Sequence, residues 1–461
     1  MTLDTLLLSR LQFAFTLAFH IIFPSFTIGL ASFLAVLEGA WLVTKREAFQ
    51  RLYLFWLRIF AISFGMGVVT GVVLSYEFGT NWSAFSRAVA GVIGPLLAFE
   101  VLTAFFLEAS FLGVMLFGWK RVGPGLHFLA TCLVALGTLI SAFWIISANS
   151  WMQVPSGYRL LADGRFVASD WWRVIFSPTF PERLAHMVLA AYLTTALVVG
   201  AASAFQLLRN AAQPESRTAL RMAIGMFAIV APLQLFVGDL SGKDIAVRQP
   251  AKVAAIEGFW QTRADQPFDI IAWPDRARQD NDWAVSVPDL GSWITTGNAG
   301  NVVRGLSSFR RADRPPSAVV FWSFRIMVGL GVAMIGLGLW GVWLWRRGAL
   351  ERTRLFLLAT MLMGPAGFVA VIAGWTTAEV GRQPWVVYGL MRTRDGVSPV
   401  TAHVVSASLI GFLVVYAIIF GAGALYILRL IAEGPAEAAP TPAPLRAPGS
   451  PMAAAGEEPG A

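Results

Sequence analysis

The sequence predicts an all-α integral membrane protein: nine transmembrane helices in one bundle, N-terminus outside and C-terminus inside. Three observations carry that prediction. Only 13% of the 461 residues are charged and 56% are hydrophobic, where an ordinary soluble protein has about 25% charged residues. The mean hydropathy is +0.64. Long runs contain no Asp, Glu, Lys or Arg: 11–37, 59–76, 122–158, 184–208, 222–238, 326–345, 355–378 and 396–428. A bilayer-spanning helix needs roughly 20 apolar residues. Such a chain is not a soluble globular enzyme, a disordered protein or a fibre.

Taken in order, the spans fall near 14–43, 52–76, 92–118, 127–150, 185–208, 221–238, 319–345, 355–377 and 401–431. The first has no basic region before it and no small-residue cleavage site after it, so it reads as a span rather than a cleaved signal peptide. The third is interrupted by Glu100 and Glu108. The loops after spans one, three, five and seven carry Lys45, Arg46 and Arg51; Lys120 and Arg121; Arg209 and Arg217; Arg346, Arg347, Arg352 and Arg354. The short loop after span two has only Arg87. Lys and Arg gather in cytoplasmic loops, so the odd loops lie inside. The same rule accounts for the excess of 35 basic over 27 acidic residues with a lipid bilayer as partner and no nucleic acid.

The chain divides into 1–237 with spans one to six, a polar outer loop at 238–318, spans seven to nine at 319–431, and a tail at 432–461. The loop is longer than a structureless connection should be, so local helices and a function are expected there. The tail holds seven of the 24 prolines and many alanines, a composition of disorder. The lone Cys132 can build neither an intramolecular disulfide nor a thiolate cluster. No nucleotide-binding glycine loop, HExxH motif or nucleophile elbow stands in a sensible context.

A charge at the bilayer centre costs about 2.5–3.5 kcal/mol or more, so intramembrane polar residues are functional candidates. His20 lies in the outer half of span one and His186 one turn into span five. Met327 sits at the depth of His186 in 321–327, Phe-Trp-Ser-Phe-Arg-Ile-Met. A His and a Met facing each other can make a six-coordinate haem, although a lone Met is far more often packing. Arg325 would suit a propionate or simply snorkel to the interface. Glu100 and Glu108 are eight residues apart, about 12 Å along a helix, a spacing that suits a proton relay or two structural carboxylic acids. Glu379 beside Arg382 is a ligand or an ion-paired carboxylate. For His127 and His403 a hydrogen-bonded or interfacial role is favoured.

These residues closely resemble subunit I of the cytochrome bd-type quinol oxidases over residues 1–431. The motifs are His20 after 11–15, Leu-Gln-Phe-Ala-Phe; Glu100 and Glu108 within 94–108; 117–119, Phe-Gly-Trp; 238–242, Gly-Asp-Leu-Ser-Gly; Lys252 and Glu257 within 249–257; Arg325 and Met327; and Trp375 leading to Glu379 and 381–385, Gly-Arg-Gln-Pro-Trp. The resemblance implies two b-type haems and a third of d or b type. His186 and Met327 match ligands of the low-spin b haem, with Arg325 beside it. His20 and Glu379 match axial ligands of the two high-spin haems, with Trp375 between haems. Glu100 matches a carboxylate next to that pair and Glu108 a proton-path residue below it. Lys252 and Glu257 match residues of the quinol site in the outer loop, whose compact form resembles the short-loop, cyanide-insensitive members. The implied activity is oxidation of ubiquinol or menaquinol outside and reduction of O2 with cytoplasmic protons, in a bacterial inner membrane. The implied partners are a homologous, haem-free second membrane subunit and, in many members, a small single-span one. Two readings compete with this: a cation-coupled transporter using Glu100, Glu108 and His20, and a b-type electron-transfer subunit without an oxygen site.

Overall fold

The computed structural model describes residues 4–435. Its helices are α1 (Thr5–Thr44), α2 (Glu47–Thr80), α3 (Ser83–Val89), α4 (Ile93–Glu100), α5 (Phe106–Phe117), α6 (Pro124–Gln153), α7 (Trp171–Ile175), α8 (Phe180–Arg209), α9 (Pro214–Arg248), α10 (Pro250–Glu257), α11 (Leu290–Thr296), α12 (Ser317–Arg346), α13 (Arg354–Leu362), α14 (Ala366–Val380) and α15 (Ala402–Glu433). Nine spans emerge among the described residues, α4–α5 forming the third and α13–α14 the eighth. Hydrocarbon offers no partner for backbone polar groups, so each uncharged run satisfies its own as a helix.

The ends follow local chemistry. Asp4 caps α1 by accepting from the Leu6 amide at 3.0 Å. Prolines occupy the first turn of α6, α8, α9 and α10, where a missing N–H costs nothing. Lys45, in the left-handed region at φ 55°, turns the chain sharply between α1 and α2. Most-apolar windows of α1 and α8 are 61% buried against 17% for the third span and α15. α1 and α8 therefore form the centre, and the third span and α15 the periphery. Leu30, Leu34 and Leu37 of α1 pack with Tyr53, Trp56 and Phe60 of α2 in the largest core cluster.

Three features differ from the sequence expectation. α9 continues to Arg248, so the polar segment starts at residue 249, eleven residues later than 238. That segment holds α10 and α11 and also an antiparallel hairpin, β1 (Phe268–Asp275) with β2 (Asp280–Val287). The third span contains a π-helical turn at Val101–Phe105. The expected disordered tail lies, from residue 436 on, outside the described residues.

Candidate functional site

α1 begins at one end of the bundle, called here the loop end, to which 249–316 also belongs. His20 lies on α1 with Nδ1 3.0 Å from Thr70 Oγ1 of α2. That contact orients the ring and leaves Nε2 for a ligand. A Cβ on Gly71 would stand 3.2 Å from the His20 ring. His186 on α8 repeats the arrangement. Its Nε2 lies 3.1 Å from Gln234 Nε2 of α9, its Nδ1 is buried without a partner, and a Cβ on Gly238 would lie 3.3 Å from its ring. Met327 on α12 is the third case: a Cβ on Gly374 of α14 would come within 2.9 Å of its sulfur. Each of these side chains thus rests on a neighbouring helix that carries glycine at the contact. With Glu100, Trp375 and Glu379, all three remain half-buried. Between α6 and α8 an apolar groove of about 500 Å³ is lined by Leu139, Ile140, Phe143, Trp144, Leu184 and Val188, within the usual range for a cofactor site.

Among the described residues no three His, Cys, Asp or Glu side chains gather into a metal cluster. An iron porphyrin does not need one, because its ring supplies four donors and the chain only axial ligands. The residues present fit such a group. Glu379 Oε1 accepts from Asn149 Nδ2 at 3.0 Å and Gln153 Nε2 at 3.1 Å, and its Oε2 accepts from Arg382. A carboxylate has about four acceptor positions, so one remains.

Lys252 and Glu257 share α10 but face different partners. Lys252 Nζ donates to Gln153 Oε1 at 2.6 Å, which joins it through one amide to Glu379. Burial, reinforced by Arg183 and Arg382, holds its ammonium well below the usual lysine range. Glu257 accepts from Arg325 Nη2 at 2.9 Å. Burial pushes its carboxyl up, and Arg325 opposes the push. Arg325 also lies over the rings of Phe268 and Phe321.

Glu100 and Glu108 both face α6. Ser141 donates to Glu100 Oε1 at 2.8 Å. Glu108 packs where Gly137 leaves room, a Cβ there lying 2.6 Å from its Cγ, and its Oε1 is buried without a partner. Eight α-helical residues turn about 800°, which would set the two carboxyls some 80° apart. The wider π turn between them takes up part of that rotation.

His127 is structural, as favoured: Nδ1 lies 2.6 Å from Glu38 Oε1, and Thr131 donates to the other Glu38 oxygen at 2.5 Å. His403 is exposed at the start of α15. Sequence reasoning missed Asn149, Gln153, Arg183, Glu38 and Glu77. Glu38 and Glu77 sit one residue beyond uncharged runs, and both are fully buried. Arg183 donates to Asn149 Oδ1, one amide from Glu379.

The comparisons agree with this picture. The family model described as cytochrome bd terminal oxidase subunit I matches residues 8–435. Cytochrome bd ubiquinol oxidase subunit 1 of Bacillus subtilis (strain 168) is 37% identical over 94% of this chain and 94% of that protein. Cytochrome bd-II ubiquinol oxidase subunit 1 of Escherichia coli (strain K12) is 34% identical over 93% of this chain and 95% of that one. The bd oxidase structure from Geobacillus thermodenitrificans superposes with a TM-score of 0.85 at 30% identity, covering 94% of this chain and 99% of that chain. A helix bundle with these extents, matched along nearly its whole length in sequence and in structure, belongs to the cytochrome bd terminal oxidase subunit I family, the multi-pass oxidoreductases of bacterial inner membranes.

Proposed function

We propose that this chain is the haem-bearing subunit of a respiratory oxidase that oxidises quinol at the outer face, reduces O2 to water with cytoplasmic protons, and builds a proton motive force without a pump. The observation that carries the reading is the shared setting of His20, His186 and Met327, each half-buried and each resting on a glycine of the next helix. His186 and Met327 would hold a low-spin b haem, with Arg325 beside it. His20 and Glu379 would each hold one of two further haems, one b-type and one d- or b-type, with Trp375 between. When bound, the haems supply the electron path and the iron at which oxygen is reduced.

The chain's own groups handle the protons. Quinol docks against α10, where Glu257 accepts a proton as the quinol is oxidised. Lys252 Nζ, positioned by Gln153, donates a hydrogen bond to the developing quinol oxygen anion. The loop end lies outside, so these protons leave outside. Glu108 passes protons from the cytoplasmic side to Glu100, with α6 between them as the common wall. Separating uptake from release moves charge across the membrane, worth about 2.3 kcal/mol per charge per 100 mV. A second, homologous membrane subunit and a small single-span subunit would cover the peripheral spans.

The test is a reduced-minus-oxidised spectrum with a pyridine haemochrome count on the purified complex. Several haems are expected, and His186→Ala should remove the low-spin b signal. A colourless complex, or an unchanged spectrum in that variant, overturns the reading. Steady quinol-driven oxygen consumption, lost in Glu379→Ala, separates an oxidase from a subunit that only transfers electrons.

A further inference from the structure

A polar seam runs from the loop end towards His20 between α1, α2 and α15, and nothing in the proposed reaction uses it. Ser9, Gln12, Thr16 and His20 recur along α1 at three- and four-residue spacing, so they share one face of that helix. On α2, Thr70 and Glu77 are seven residues apart, about two turns along one face. Thr70 meets His20 at 3.0 Å. Thr16 Oγ1 donates to Glu77 Oε2 at 3.0 Å, and the Gln12 amide lies against the same carboxyl. From α15, Ser408 donates to Gln12 Oε1 at 2.9 Å, and Tyr416 stands within electrostatic reach of Glu77.

Glu77 is 0% exposed and Tyr416 2%. Glu77 Oε1 and the Tyr416 hydroxyl are both buried without a partner, and so is Ser9 Oγ. Among the described residues no cation of the elements packed on Glu77 pairs with it. Arg10 lies about 200° round α1 from Gln12. Arg87 of α3 and His403 of α15 are exposed. Lys243 and Arg248 of α9 are paired within their own helix. Arg51 of α2 and Arg429 of α15 sit at the far end of the bundle with Glu47 and Glu433.

A carboxylate buried in this way needs either a proton or a positive charge that the chain does not supply. His20 is one turn from Thr16, about 6 Å along α1. An iron porphyrin core is positively charged when ferric and neutral when ferrous. The group that His20 would hold thus brings the missing charge in one oxidation state and withdraws it in the other.

We propose that Glu77 is the counter-ion of the oxidised haem on His20 and takes up one proton when that haem is reduced. This rests on the oxidase reading and adds to it a proton site distinct from the axial ligands and from Glu100 and Glu108. The step balances as one electron and one proton. Fe(III) becomes Fe(II) with an electron from quinol, and an O–H bond forms at Glu77 Oε1 with a proton from water held by the free oxygens of the seam. Reoxidation reverses both.

The experiment uses the purified complex as parent, Glu77→Gln, Glu77→Asp and Tyr416→Phe, with haem counted in each. Redox-induced infrared difference spectra are recorded in H2O and D2O, and haem midpoint potentials are followed against pH. On reduction the parent should gain a protonated-carboxyl C=O band that moves down in D2O, with matching loss of carboxylate bands. Glu77→Gln should lack that pair. Its affected high-spin haem should show a flatter dependence of potential on pH and a higher potential than the parent at high pH, while the low-spin haem stays as it was. Glu77→Asp should keep the band at a shifted position. Parent bands with an unchanged pH slope in Glu77→Gln at full haem content overturn the proposal, since Glu77 is then a permanently neutral acid. Should Glu77→Gln not load haem, Tyr416→Phe decides: the C=O band should shift, and an unmoved band overturns the proposal. A parent complex without haem would sink the oxidase reading itself, a different failure.

Discussion

The ion pair between Glu257 and Arg325 sets a pH dependence of definite sign. Glu257 must be ionised to accept a proton, and burial has raised its carboxyl above the ordinary value. Quinol oxidation should therefore rise with pH through a limb above the usual carboxylate range. Arg325→Gln removes the charge that opposes the shift, so the limb should move to higher pH; a profile of kcat/KM against pH reads this directly. An unmoved limb would deny Glu257 the role of proton acceptor. Gly374→Ala is a steric probe of the same kind. Its new Cβ would lie 2.9 Å from the Met327 sulfur, nearer than such atoms approach. The low-spin haem band should shift or vanish, whereas Gly238→Ala, at 3.3 Å from the His186 ring, should perturb it less. Glu100, Glu108, His20 and His186 were legible in the sequence because polar groups within apolar runs stand out on energetic grounds. Asn149 and Gln153 were not, since neutral amides near span ends cost little and raise no such signal.

At the scale of elements, the third span is the informative one. A plain helix would aim Glu108 well away from Glu100. The π turn at Val101–Phe105 keeps both against α6. Inserting one alanine after Phe106 should rotate Glu108 by about 100° relative to Glu100 and swing it off Gly137. Oxygen consumption should then fall at least tenfold while the haem spectrum persists; turnover near the parent rate would mean the shared face is unnecessary. At the opposite end, His127 clamps Glu38 between α1 and α6. Removing it in His127→Ala leaves a buried acceptor unmet, a cost of about 1–3 kcal/mol that thermal unfolding of the complex should record. The spans themselves could be read from hydropathy because length and apolarity suffice. The π turn could not, since its wider ring depends on packing against α6. Nor could the β1–β2 hairpin, which lies in a polar segment where no periodicity points to a buried face.

For the whole molecule, the architecture and family were legible from composition, run lengths and ordered motifs, whereas the grouping of Arg183, Lys252 and Arg382 around Glu379 required α6, α8, α10 and α14 to be assembled first. Sealed vesicles holding the complex in one orientation should acidify on the loop-end side during quinol turnover and alkalinise on the other. A protonophore should abolish both changes, and equal release on the two sides would contradict the separation of release from uptake. The Glu257–Arg325 pair has a wider consequence. Arg325 stands two residues before Met327 on α12, so the charge that senses Glu257 lies beside the proposed entry point for electrons. Thermodynamic linkage is reciprocal. An electron on the haem that Met327 would hold should raise the proton affinity of Glu257 by the same free energy with which that proton favours the electron, so both events would settle as one equilibrium shared between the loop and the bundle.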